Sequence, residues 1–237
     1  MTAEDTAQIQ ALGFNITAGS LPLEDFLNST FPGLNVLQYV KDINDLLQPL
    51  TQSTIIKELA FFENAPPMLI VQYFSEDSDD ETGLGLSRTF IKSKNEFIVE
   101  HDFFRLPSAK RRQGIAKQLL GFSLQQYLSS GVDKIKLRAE LENGGYVWAK
   151  TEFTATDQTE VKTILDNAEK TISSQQFKFV KRVYDNYYDK NPNGRNFPMI
   201  KWSELPEMEE ILNGSKWQGE IDLNNKELLA KFKHYVA

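Results

Sequence analysis

Cysteine is absent from this 237-residue chain. Its absence excludes disulfides, thiolate nucleophiles, zinc–thiolate sites and a cysteine-linked acyl-enzyme. Histidine is scarce. Only His101 and His234 occur, too few for a multi-histidine metal centre. No run reaches the ~18 apolar residues of a membrane span. The N-terminus, MTAEDTAQIQALGF, lacks the basic and apolar regions of a secretory signal. Positive charge is in deficit: 26 Lys and Arg against 33 Asp and Glu give a formal net charge of -7. That balance argues against broad nucleic-acid binding. The expectation is a cytoplasmic protein with no metal, no nucleic-acid partner and no membrane partner.

Hydrophobic residues make up 41% of the chain, enough for one sizeable core or one domain with a helical extension. Residues 1 to about 60 read as mostly helical. Leu23, Phe26, Leu27, Leu34, Leu37, Val40, Ile43, Leu46 and Leu47 recur mostly every three or four positions, broken by FPG at 31–33. STIIKELAFFENAPP reads as a helix ending before Pro66. The texture then changes. MLIVQYF (68–74), LGLSRTFIKS (84–93) and EFIVEHDFFRL (96–106) are strand-like, in meander order. A helix over about 113–129 follows, stopped at SSGV, and then an alternating strand at 133–141 and a short helix in GGYVWAKTEF. Beyond Phe153, Asp157 and Glu160 form a capping pair before Val161, Ile164, Leu165 and Ala168. Phe177, Val180, Tyr184, Tyr187 and Tyr188 continue at helical spacing. DKNPNGRNFP reads as a loop, KWQGEIDL as a late strand and NKELLAKFKHYV as a terminal helix. The acidic 75–82 segment reads as a solvated loop.

One stretch runs against the acidic balance. SAKRRQGIAKQLL, Ser108 to Leu120, sets Lys110, Arg111, Arg112 and Gln113 against Gly114 and an apolar helix. The first N–H groups of a helix have no intrahelical acceptor, and the helix dipole is positive there. A pyrophosphate can accept from them. Gly114 removes a side chain where a phosphate approaches, and Ala116 is small. The loop is neither the Gly-Lys-Ser/Thr loop of nucleotide hydrolases nor the three-glycine dinucleotide pattern. Taken alone, a basic residue before a glycine at a helix start also arises by chance.

Arg111-Arg112-Gln113-Gly114-Ile115-Ala116 resembles the Q/R-x-x-G-x-G/A signature of the GNAT superfamily of N-acetyltransferases. The surrounding order of three antiparallel strands, signature loop, long helix, strand and short helix is similar too. In ENGGYVWAKTEF, Trp148, Lys150 and Phe153 hold the places of that family's aromatic-x-K-x-G-F pattern. The resemblance covers about 68–156, and 217–223 as a final strand. It implies an α+β fold: a mixed, mostly antiparallel central sheet flanked by helices, with a helical N-terminal segment and a helical insertion near the C-terminus. The parts are 1–66, a coenzyme-binding core at 67–156, and 157–237, in one compact domain.

The resemblance also implies a function: an acetyl-CoA-dependent N-acyltransferase, moving an acetyl group to an amine of a small molecule or protein by direct attack. Acetyl-CoA would lie between the strands at 96–106 and 133–141. Main-chain groups near Phe104 and Leu106 would bond its pantetheine arm. The amides of Arg111, Arg112, Gln113, Gly114, Ile115 and Ala116 would hold its pyrophosphate, and Asn143 would reach the pantetheine or thioester. Such chemistry needs a base, an oxyanion donor and an acid. Glu100 is the first choice of base, in the run Glu100-His101-Asp102. On an ideal strand Glu100 and Asp102 share a face, and a bulge would change that parity. A merely polar strand end is the alternative. Tyr146 is the nearest hydroxyl to serve as acid, because Trp148 stands at the aligned aromatic place and an indole N–H is not a useful acid. The family's glycine before the final Phe is Glu152 here. Core packing is the other reading of Trp148 and Phe153, as it is of the tyrosine stripe that could wall an acceptor pocket. The acidic balance favours a cationic acceptor, and a homodimer is compatible with the pattern. The competing functions are a catalytically impaired, acetyltransferase-like CoA-binding or protein-interaction module, and an interaction protein whose RRQG loop is accidental.

Overall fold

The computed structural model describes residues 1–17, 19–76, 81–140 and 144–237. The centre of the acidic 75–82 segment and Asn143 lie outside the described residues. The chain is mixed α+β and forms two compact units, Met1–Ile135 with Val236–Ala237, and Lys136–Tyr235.

The first unit runs α1 (Ala3–Ala11), β1 (Phe14–Thr17), α2 (Leu23–Thr30), α3 (Val36–Leu47), β2 (Ile55–Phe62), β3 (Met68–Ser75), β4 (Gly85–Lys92), β5 (Phe97–Arg105) and α4 (Ile115–Ser130). Its strands follow the order β1-β2-β3-β4-β5. β1 is parallel to β2, and the other neighbours are antiparallel. Two of its helices start where side chains supply caps. Thr2 and Asp5 form a capping box at α1, and Asn35 accepts the Gln38 N–H at 3.0 Å to open α3. The buried stripe Val36, Tyr39, Val40, Ile43 and Leu47 then lays α3 on the sheet. Leu59, Leu69, Val71, Tyr73, Leu86, Phe90 and Val99 form the buried sheet face. Tyr39 meets Phe90 edge-on at 5.6 Å, and the Tyr73 hydroxyl donates to the Val40 carbonyl at 2.7 Å.

Two elements of this unit differ from the sequence reading. β1 is a strand inside the segment read as helical. Residues 55–62 form β2, not the end of a helix. The run IIKELAFF is too short for period alone to separate the two structures. Its β-branched pair and aromatic pair fit a pleated surface. Ile55, Leu59 and Phe61 are buried, while Ile56, Glu58 and Phe62 are exposed.

The second unit contains most of β6 (Lys134–Ala139), then α5 (Gly144–Ala149), β7 (Thr154–Ala155), α6 (Gln158–Thr171), α7 (Ser174–Tyr188), β8 (Phe197–Pro198), α8 (Met199–Ser203), α9 (Glu209–Asn213), β9 (Trp217–Asp222) and α10 (Lys226–Val236). Its strand order is β6-β9-β7-β8. Asp157 caps α6 through the N–H groups of Thr159 and Glu160. The Glu160 carboxylate leaves the cap. It accepts from the Gln218 N–H at 2.7 Å and from Arg138 at 3.0 Å. The tyrosine stripe of α7 is a packing face: Tyr184, Tyr187 and Tyr188 gather on Phe197, which lies 4.6 Å from Trp202.

Gly145 lets α5 sit against the end of α9. A Cβ there would lie 2.0 Å from the Leu212 carbonyl oxygen. The Trp217 indole also donates to the Gly145 carbonyl at 3.2 Å. Around Gly214, by contrast, a Cβ has nothing within 4 Å. Gly145→Ala is expected to lose about 3 kcal/mol or more, and Gly214→Ala about 0.5 kcal/mol at most. Urea unfolding of both variants checks this; equal losses would refute the close approach.

Candidate functional site

The loop from Leu106 to the first turn of α4 is built from local contacts. A short 3-10 turn spans Ser108–Lys110. The Ser108 N–H donates to the Glu81 carbonyl at 2.7 Å. Arg111 turns its Nε back to the Leu106 carbonyl at 3.0 Å, and the Gln113 side-chain Nε2 donates to the Ala109 carbonyl at 2.8 Å. Two left-handed residues then follow with one residue between them, Arg112 at φ 61° and Gly114 at φ 78°. Gly114 is the N-cap of α4, and no side chain caps that helix. The first bond back into it is from the Gln118 N–H to the Gly114 carbonyl, 3.0 Å.

The consequence is a run of open amides. The N–H groups of residues 112 to 117 have no acceptor among the described residues. Successive amides in alternating hand form a concavity that favours an anion, and the helix dipole adds to it. Arg111, Arg112, Gln113 and Gly114 are exposed around it, Ala116 is half-buried, and Ile115 is buried and anchors the turn. Of the expected pyrophosphate amides, those of Arg112, Gln113, Gly114, Ile115 and Ala116 are open on this turn, whereas the Arg111 N–H is not, because it closes the preceding turn on the Ser108 carbonyl at 3.2 Å. Phe104 is half-buried on the strand that enters the loop, and Leu106, just past the strand's end at Arg105, is buried.

β5 carries a bulge. The register passes from Ser87 opposite Phe103 to Arg88 opposite His101, so Asp102 has no partner residue. Glu100 pairs with Thr89 and is half-buried. Asp102 accepts from the hydroxyls of Thr89 at 2.8 Å and Ser87 at 3.1 Å, and Gln72 donates to Ser87 at 3.2 Å. Glu100 and Asp102 thus share a face, as the ideal strand requires, and the parity change begins after Asp102. Phe103 joins that same face, 5.7 Å from Phe74.

His101 faces the other way and is buried. Its Nε2 lies 3.0 Å from the Tyr127 hydroxyl, which lies 3.2 Å from the Tyr39 hydroxyl. Burial, with the Arg88 charge acting in the same direction, holds this imidazole well below the ordinary histidine range. It is a structural histidine. Sequence reasoning did not single out Arg88, Ser87 or Thr89. The signal for Arg88 was a charge in the register of Leu84, Leu86 and Phe90.

No family model matches this chain. No curated protein matches it either.

In the second unit, Tyr146 is half-buried on α5. Its hydroxyl accepts from Lys150 at 3.1 Å, and that ammonium lies 4.6 Å from its ring centroid. Trp148 packs edge-on against Phe153 at 5.5 Å, and Phe153 is fully buried beside Phe232. Core packing accounts for both. Glu152 has φ 68°, so the place the resemblance gives to glycine does demand a left-handed backbone. Among the described residues, no group of three or more His, Cys, Asp or Glu could hold a metal, and no helix is long and apolar enough to cross a membrane.

Two predictions follow from these environments. A non-glycine residue in the left-handed region costs about 1–2 kcal/mol, and the looser unfolded state of glycine offsets about 0.4–1 kcal/mol of that. Burial also raises the Glu152 carboxyl above its usual range. Glu152→Gly is therefore expected to raise the Tm, and a lower Tm would contradict the strain. For His101, the unfolded chain takes up a proton near pH 6.5 while the folded chain does not. Stability then falls as the pH drops below about 6.5, by about 1 kcal/mol per pH unit. Denaturant titrations at pH 7.5 and pH 5.0 should show a smaller loss in His101→Gln than in the wild type. The same loss in both would remove His101 from the acid response.

Proposed function

We propose that this chain is an acetyl-CoA-dependent N-acyltransferase that moves an acetyl group to an amine. The observation that carries the reading is the run of open amides from Arg112 to Lys117, which includes the two left-handed residues Arg112 and Gly114 and is uncapped by any side chain. A diphosphate needs several converging donors, positive potential and close backbone access. These residues fit that need, and Lys110, Arg111, Arg112 and Lys117 add attraction that salt screens. In support stands the second motif, in which Glu152 takes the backbone conformation that glycine favours.

In this reading the amides of residues 112 to 117 hold the pyrophosphate of coenzyme A, and the main chain near Phe104 and Leu106 bonds its pantetheine arm. The bound thioester supplies an activated acyl group. Glu100 and Asp102, on one face of β5, provide the carboxylates that keep an amine neutral. Two hydroxyls hold one oxygen of Asp102.

The test is calorimetric titration with coenzyme A. The wild type should bind, and its affinity should fall as salt rises. Gly114→Asp should weaken binding by about tenfold or more, since it sets a negative charge among the open amides. A Cβ at Gly114 meets nothing within 4 Å, so the substitution strains only the backbone. Absence of binding by the wild type, or unchanged binding by Gly114→Asp, would overturn the proposal.

A further inference from the structure

Arg88 is a buried charge that the proposed chemistry does not use. It stands on β4 between the buried positions of Leu86 and Phe90 and is 1% exposed. Among the described residues it forms no ion pair. Its Nη1 donates to two main-chain carbonyls, Ser87 at 2.7 Å and Phe103 at 2.8 Å. Its guanidinium carbon lies 6.0 Å from the centroid of Phe104. Nε and Nη2 are buried and meet no acceptor among the described residues.

Such an arrangement is a poor way to gain stability. An uncompensated buried ion is costly, and replacing one by an apolar side chain of similar volume is often neutral or stabilising. Each open buried donor adds to that cost. The geometry of the contacts shows what the arginine does instead. Its two carbonyls belong to Ser87 and Phe103, the pair that flanks the β5 bulge. Asp102 is held by Ser87 and Thr89 on one face, and the Phe103 carbonyl is held by Arg88 from the other. The bulge is therefore pinned from both sides. It decides that Phe103 turns toward Phe74, while Phe104 turns to the side of Arg88. Without it, the main-chain groups between Phe103 and Leu106 would shift by one position.

We propose that Arg88 is a positioning residue: it clamps the Phe103 carbonyl at the bulge and so sets the main-chain edge from Phe104 to Leu106 that receives the pantetheine arm. This rests on the coenzyme reading of the 112–117 turn. Arg88 touches neither the coenzyme nor the amine in this account. It acts through the backbone of β5.

The experiment uses the full chain with Arg88→Met and Arg88→Lys. Three quantities are read: the thermal midpoint, amide hydrogen exchange over 101–106, and coenzyme A affinity by calorimetry. Arg88→Met is expected to melt at or above the wild type. It should nevertheless exchange about tenfold faster at 103–106 and bind coenzyme A about tenfold more weakly. Arg88→Lys should recover part of the affinity, because one ammonium can donate to both carbonyls. Wild-type exchange and wild-type affinity in Arg88→Met would overturn the clamp. So would a fall in affinity that only tracks a fall in the thermal midpoint and that Arg88→Lys leaves unrepaired. If the wild type binds no coenzyme A but Arg88→Met still frees the 103–106 amides, the coenzyme reading fails and the clamp on the bulge stands.

Discussion

Every backbone N–H taken from water needs an acceptor, and the start of α4 leaves its own unmet. Several helices of this chain solve the same problem with a side chain. Thr2, Asn35, Asp157 and Ser173 each close a helix start. At α4 the capping position is Gly114, which has nothing to offer. The loop before it is nevertheless well made: Arg111 and Gln113 bond back to Leu106 and Ala109, and the chain reverses hand at Arg112 and Gly114. Order in the loop and openness at its amides together support the reading of an anion-holding turn.

The strand that leads into this turn carries the second device. A bulge at Asp102 breaks the register of β4 and β5. Bulges re-aim side chains and concentrate beside functional sites. This one places Glu100, Asp102 and Phe103 on one face and holds the Asp102 carboxylate with two hydroxyls. On the other face, a charged guanidinium is buried between the positions of Leu86 and Phe90 and opposite His101. The fold accepts a costly interior group to keep one carbonyl in place. Stability and local geometry are in tension at Arg88, and such tension is what a functional strand edge predicts.

Much of the fold was legible from the residues. α4 and its glycine stop, the meander of β3 to β5, the alternation of Ile135, Leu137 and Ala139, the cap at Asp157 and the late strand at 217–222 all follow from period and local chemistry. The failures have a physical cause. IIKELAFF is eight residues long, and both periods accommodate it until neighbours are chosen. Tyr184, Tyr187 and Tyr188 show the same helical stripe whether they wall a pocket or pack on Phe197, and only their contacts decide.

By itself, then, the residue order settled the chemistry that is impossible here, the thiolate and disulfide routes, and settled where positive charge meets the start of a helix. Local rules suffice for such things, because composition and caps act over a few residues. Tertiary structure alone decided the bulge at Asp102 and the burial of Arg88 beneath it. Each of these depends on which strand lies opposite and which helix lies above. That is a matter of partners distant in the chain, and no local period encodes it.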